Sequence, residues 1–309
     1  MSSFRKPPAL TRGDRIAVVA PSGPFNRESF DAGLALLASR YRPELSPGLF
    51  DRHRYLAGDD SRRLAELNAA LLDPEIKAVF CARGGYGAMR LLSRLAPIPT
   101  DTPLKPLIGF SDITALHAWL QAQGIVSFHG PNATQLARVP EASHDRLFRL
   151  LEAPAIPGPL AGTATYVGGT AEGPLVGGNL AVLASLVGTP FLPELNGAIL
   201  MLEDVGERPY RLDRMWTQLA LAGVFDRIAG VVLGTFTGCE EKEAGVSAGY
   251  SSGNVLRELA NAAGLPCAAG FPIGHGDDNE AVPLGVRVRL DADSRRLEFM
   301  ETATAGADS

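Results

Sequence analysis

Short apolar runs alternate with stretches of helical period through the first half of the chain. Arg15–Ala20, Ile76–Cys81, Leu107–Phe110 and Ile125–His129 are short and apolar, with turn residues around them, which predicts buried strands. Between them, Glu28–Ser39 puts Phe30, Leu34, Leu37 and Ala38 on one side of a helix. Asp60–Leu72 predicts a second helix, ended by Asp73-Pro74, and Ile113–Leu120 a further one. Arg83-Gly-Gly-Tyr-Gly87 follows the second strand directly and opens a helix through Leu92. Strand–helix alternation with short loops predicts an α/β fold with a parallel, three-layer, Rossmann-like sheet, whose sites lie at the carboxyl ends of its strands.

The pattern then lapses. Ala153–Gly178 is rich in Gly and Pro and poor in charge, which predicts a connection between domains. After it come a helix at Asn179–Val187, a strand at Ala198–Leu202, a helix at Arg211–Leu221, a strand at Ile228–Leu233 and a helix at Ser252–Ala263. Arg287–Leu290 and Arg296–Met300 read as a hairpin turning over Asp291-Ala-Asp293. The expected organisation is an N-terminal α/β domain over 1–155, a linker over 156–175 and a C-terminal α/β domain over 176–309.

Composition narrows the class without naming a reaction. The chain has 309 residues, 46% apolar and 20% charged, as in soluble globular proteins. A formal net charge of −5 gives no basic footprint for nucleic acid or an anionic membrane. No apolar run is long enough to span a bilayer, and Met1–Pro8 lacks an apolar segment of signal-peptide type. Cys81, Cys239 and Cys267 are odd in number and have no ligand-like spacing. A reduced, cytoplasmic protein with no metal and no cofactor is expected.

Three segments carry candidate chemistry. Ser111 joins the strand Leu107–Phe110 to a helix, where a tight turn exposes a hydroxyl to the N–H groups of a helix start. That geometry suits a nucleophile, although Ile113 stands where the hydrolase elbow has its second glycine. Ser111 or Asp112 could instead serve as a helix cap. The loop at Gly84–Gly87 lacks the Lys-Ser/Thr of a phosphate-binding loop. Glu203 ends a strand, as an orienting acid would, with Asp204 beside it; alternation along a strand lets only one of them face a given partner. Glu207 and Arg208 read as a solvated charged face. His275 alone among five histidines lies between glycines, which allows close approach by another segment or a ligand. His117 and His129 read as packing residues, and His53 and His144 as surface residues.

Taken in order, Arg83-Gly-Gly-Tyr-Gly87, Gly109-Phe-Ser-Asp112, His129-Gly-Pro131, Gly177-Gly-Asn-Leu180, Leu202-Glu-Asp204 with Arg208-Pro-Tyr-Arg211, and Gly274-His-Gly276 resemble the LD-carboxypeptidases. These muramoyl-tetrapeptide carboxypeptidases are related to the microcin C self-immunity peptidases. The resemblance runs from about Gly13 to Gly285. It implies a serine carboxypeptidase with Ser111 as nucleophile, Glu203 as acid and His275 as base, and with backbone N–H groups of Gly85 and Asp112 in the oxyanion hole. It implies a muropeptide or tetrapeptide substrate that loses its terminal D-alanine from the L-centre of a diamino acid, in peptidoglycan recycling. Arg83 is a candidate for the terminal carboxylate, with packing or an ion pair as the alternative. A homodimer is the one protein assembly expected. A relative acting on another peptide or acyl conjugate, such as a microcin-type substrate, would carry the same triad. A catalytically silent binding protein would lack one of Ser, Glu or His, and none is missing.

Overall fold

The computed structural model describes residues 4–241 and 250–306. The first half forms β1 (Arg15–Val19), α1 (Arg27–Ala38), β2 (Arg42–Leu45), α2 (Asp60–Leu72), β3 (Ala78–Cys81), β4 (Leu107–Gly109), α3 (Thr114–Gln121), β5 (Ser127–His129), α4 (Ala133–Leu136) and α5 (Glu141–Glu152). Side-chain caps set the helix starts: Asn26 accepts from the Ser29 amide at 2.9 Å and Asp59 from the Arg62 amide at 2.8 Å. Short 3-10 turns, Ala88–Arg94 and Ser111–Ile113, follow the Gly-rich loop and β4.

The second half contains β6 (Leu160–Ala161), β7 (Ala164–Val167), β8 (Thr170–Asn179), α6 (Leu180–Leu186), β9 (Ile199–Val205), α7 (Pro209–Leu221), β10 (Gly230–Thr237), α8 (Ser252–Ala263), β11 (Cys267–Ala269), β12 (Val282–Leu284), β13 (Arg287–Asp291) and β14 (Arg296–Phe299). The described strands make two sheets, ordered β12-β5-β4-β3-β1-β2 and β6-β14-β13-β8-β9-β10-β11-β7. In the first, β1 to β5 are parallel, as the alternating pattern predicts, and β12 joins β5 antiparallel. In the second, β8, β9, β10 and β11 are parallel and antiparallel strands flank them.

The stretch expected to be a linker at 156–175 is largely sheet. It holds β6, β7 and half of β8, the strand between β13 and β9. Two of its glycines mark close approach of backbone rather than a loose connection. A Cβ at Gly173 would lie 2.0 Å from the Gly197 carbonyl oxygen, and one at Gly162 2.8 Å from that of Ala269.

One apolar core runs through both sheets. It joins Ile16, Val18, Phe80, Ile108, Phe128 and Val282 of the first to Leu175, Ile199, Met201 and Val232 of the second, with Phe271 and Ile273 from the segment between β11 and β12. The chain leaves the second sheet at β11 and re-enters the first at β12, so the segment between them is tied at both ends. A polar joint lies beside it, where the buried Thr114 hydroxyl accepts from the Asn179 amide at 2.9 Å. Thr114→Val keeps the shape but leaves that amide unpaired, and should destabilise the fold by roughly 1–3 kcal/mol. A urea midpoint lowered at constant slope would show this, and an unchanged midpoint would mean the joint is worth nothing.

Candidate active site

The turn after β4 is strained. Phe110 is extended at φ −152°, and Ser111 then adopts φ +65°, a left-handed conformation that side chains avoid. Such a conformation costs on the order of 1–3 kcal/mol and persists only where its surroundings hold it. The Asn132 side chain accepts from the Phe110 amide at 3.3 Å, and the Ile113 amide donates to the Phe110 carbonyl at 3.3 Å. The Gly-rich loop packs on the other side: a Cβ at Gly84 would lie 2.8 Å from Ser111 Cβ and 3.1 Å from its Oγ.

Asp112 folds back and accepts from the Ala88 amide at 2.8 Å, tying that loop to the serine turn. Burial pushes its carboxyl above the ordinary range, against this amide and the Arg63 charge. Arg63 is fully buried and clamps the loop from below, donating to the Pro21 carbonyl, to the Gly87 carbonyl at 2.9 Å and to Asp60 at 2.5 Å.

Glu203, near the end of β9, is fully buried, and its Oε2 accepts from His275 Nδ1 at 2.7 Å. Gly274 allows this contact. Its φ is +106°, and a Cβ there would lie 2.4 Å from Glu203 Oε2. The loop is closed by Asn279, whose Oδ1 accepts from the Gly274 amide at 2.9 Å and whose Nδ2 donates to Gln135 of α4 at 2.6 Å. Burial alone would raise the Glu203 carboxyl, but His129 and His275 outweigh it and hold the group below its ordinary value. Asp204 points elsewhere, accepting from Asn179 Nδ2 at 2.9 Å, the Ala181 amide at 2.9 Å and the Val205 amide at 2.8 Å. Its carboxyl is pushed up to about 6 by burial, against those donors.

Ser111, His275, Phe110, Gly84, Gly85 and Arg83 line one cleft of about 570 Å³, together with Asn132, Gln135 and Arg138. The Phe110 ring packs on the His275 imidazole with centroids 4.7 Å apart. Glu207 pairs with Arg211 at 2.5 Å, away from the imidazole that Glu203 holds. The three cysteines are free and buried, and burial raises their thiols. Among the described residues no cluster of His, Cys, Asp or Glu is placed to hold a metal, and no helix is long and apolar enough to cross a membrane.

His117 is buried packing, its ring nitrogens paired with Gly109 O at 2.8 Å and Ser127 Oγ at 2.9 Å. His129, read from the sequence in the same way, lies beside the acid instead, with Nε2 3.9 Å from Glu203 Oε1. The available signal was its place at the carboxyl end of β5. Arg138 and Asn279 were also missed. Single polar residues next to short elements leave no periodic trace.

Residues 16–130 match the LD-carboxypeptidase N-terminal domain and residues 172–290 the LD-carboxypeptidase C-terminal domain. The chain belongs to the LD-carboxypeptidase family. The murein tetrapeptide carboxypeptidase of Pseudomonas aeruginosa is 36% identical over 295 residues, covering 91% of this chain and 94% of that protein. The crystal structure of muramoyltetrapeptide carboxypeptidase from Oxalobacter formigenes superposes with a TM-score of 0.82 at 29% identity, over 92% of this chain and 97% of that one. The Microcin C7 self-immunity protein MccF of Escherichia coli is 27% identical over 331 residues, with 94% of each chain covered.

Two predictions follow from the packing around the acid. Gly274→Ala places a methyl against Glu203 in a conformation that alanine resists, so it should lower the melting temperature and turnover together. A variant with both values unchanged would show that the loop has room to spare. The second concerns pH. With the folded-state value of Glu203 depressed, its ionised form stabilises the fold above the ordinary glutamate range near 4.5, and that share is lost as pH falls through the folded-state value. The stability gap between the protein and Glu203→Gln should therefore shrink steadily below about pH 5. A gap that widens in acid would reverse the assigned sign.

Proposed function

We propose that this family member is a serine LD-carboxypeptidase that removes the terminal D-alanine from the L-centre of a diamino acid in peptidoglycan tetrapeptides, using Ser111, His275 and Glu203. The observation that carries this reading is the buried Glu203–His275 hydrogen bond at 2.7 Å, made to an imidazole that lines the same cleft as a serine on a strained turn. With Nδ1–H donated to Glu203, the lone pair of His275 lies on Nε2, the nitrogen left to take the serine proton.

Ser111 Oγ attacks the scissile carbonyl as His275 accepts its proton. The imidazolium then protonates the leaving D-alanine nitrogen, and Glu203 stabilises that cation and fixes the ring. The backbone N–H groups of Gly85 and Asp112 serve as oxyanion donors, each typically worth about 2.7–4 kcal/mol. Water hydrolyses the acyl-enzyme by the same steps. Neither metal nor cofactor enters the reaction. We assign the reaction to the cytoplasmic recycling of wall fragments.

The free carboxylate of the substrate needs a cation in the cleft, and Arg83 and Arg138 supply two. Arg83 is steadied by the Pro24 carbonyl and Arg138 by the Ser29 hydroxyl at 2.5 Å. Arg83→Met and Arg138→Met should each raise KM more than they lower kcat, as loss of uniform binding does. Variants that lower kcat alone would place these side chains elsewhere in the reaction.

Tetrapeptides with meso-diaminopimelate or lysine before a terminal D-alanine test the reading directly, with release of free D-alanine as the readout. Ser111→Ala should lose several orders of magnitude in kcat, and activity should survive prolonged EDTA treatment. An aminoacyl–nucleotide conjugate in the same panel tests a microcin-type activity. Hydrolysis of the conjugate but of neither peptide, near-normal turnover by Ser111→Ala, or zinc-reversible loss on chelation would each overturn the proposal.

A further inference from the structure

Glu203 uses only half of its carboxylate on His275. Its Oε1 is buried without a hydrogen-bond partner, and so are both ring nitrogens of His129. His129 is fully buried at the end of β5, fixed by pairing with Gly109 of β4 and Val282 of β12. Its Nε2 lies 3.9 Å from Glu203 Oε1. A neutral imidazole has one N–H to give, and a buried carboxylate oxygen left unpaired is costly. The other titratable group near the His129 ring, His117 of α3, does not compete for that proton. His117 donates Nε2–H to Gly109 O and accepts on Nδ1 from the Ser127 hydroxyl, with its ring centroid 6.2 Å from that of His129. Phe110 covers the remaining side, packing against His129 at 5.9 Å and His275 at 4.7 Å between centroids.

We propose that His129 is a positioning residue for the reaction, donating Nε2–H to Glu203 Oε1 so that the carboxylate is gripped from both sides and holds His275 in register with Ser111. The inference rests on the Ser111–His275–Glu203 reading given above. Closing the gap to hydrogen-bond length takes a movement of about 1 Å, of the kind that substrate binding brings to sites that are loose when empty. The grip has two consequences. It stops the carboxylate from turning, which keeps the imidazole aimed. It also draws charge from the oxygen facing His275, which keeps that base from holding its proton too tightly.

The experiment compares His129→Gln, His129→Asn and His129→Leu with the wild-type enzyme on the D-alanine tetrapeptide, and follows the His275 imidazole by nitrogen-15 NMR across pH. Gln places its amide N–H near the Nε2 position and Asn near Nδ1. Gln should therefore retain most of kcat. Asn and Leu should lose up to about 10²-fold, the cost of a misplacement near 1 Å, with KM little changed. In those two variants the acid limb of the rate profile and the His275 titration should move together to higher pH. Should Leu fail to fold, the Gln and Asn pair still decides, since equal effects in both overturn the proposal. A folded Leu variant with wild-type kcat and an unmoved His275 titration overturns it as well. If Ser111→Ala proves fully active, the triad reading fails by itself. The NMR titration, which needs no turnover, still reports whether His129 acts on the Glu203–His275 pair.

Discussion

Burying one ionised carboxylate is the constraint around which this molecule is arranged. Glu203 has no surface exposed to solvent, and a bare carboxylate in that place would cost several kcal/mol. Its cost is offset by the imidazole of His275, carried on the loop between β11 and β12. Because β11 belongs to one sheet and β12 to the other, the loop is anchored in both, and neither sheet alone could hold His275 over the acid. Close packing completes the burial. A Cβ at Gly274 would press on the Glu203 side chain, and one at Gly234 of β10 would meet the Ile273 carbonyl oxygen at 2.4 Å, where the same loop passes over β10. Bringing the imidazole down onto the acid thus requires a glycine on the loop itself and another on the strand beneath it.

The serine turn answers a different demand. In the proposed reaction the hydroxyl must stand clear of its own strand to attack a carbonyl whose oxygen the backbone amides receive, and the positive φ of Ser111 turns it off the line of β4. The strain is borne by packed neighbours: Asn132 just before α4, Gly84 against the side chain, and Asp112 anchored to Ala88. Arg63 then ties the Gly-rich loop to α2 and to Pro21. Mobility in that loop would relax the turn, so a buried guanidinium below it serves the geometry above.

Much of this was legible in the chain. Apolar runs located β1, β3, β4 and β5 of the first sheet, and helical period the principal helices of the second half, whereas β2, a largely exposed edge strand, has no apolar run to mark it. Ser111, the pair Glu203-Asp204 and His275 stand out one at a time, from a strand-to-helix joint, a strand end and a glycine-flanked histidine; the family resemblance picks Glu203 from the pair, and the fold brings these segments to one cleft. The Gly/Pro-rich stretch misled because composition does not separate a flexible linker from a strand crowded by its neighbours; β8 is the second kind. β12 left no trace, being three residues with a proline in the middle. His129 was read as packing because a lone histidine in an apolar strand has no spacing to betray a partner contributed by another sheet.

The neighbouring acids Glu203 and Asp204 show how little of such a site resides in residue type. Both are carboxylates near the end of β9, both are buried, and burial pushes both towards the neutral form. They part because the strand turns them to opposite faces. Asp204 meets only amide donors, at the start of α6 and on Asn179, and these do not overcome burial, so its carboxyl stays above its ordinary value. Glu203 meets two imidazoles, whose N–H groups favour its charged form, and it is held below. One neighbour therefore braces β9 against α6, and the other stays charged through the pH range in which an imidazole gives and takes protons. A shift of one residue in the register of β9 would turn each acid to the opposite face without changing a single side chain. The pairing of β9 with β8 and β10, rather than the acid itself, is what assigns the roles.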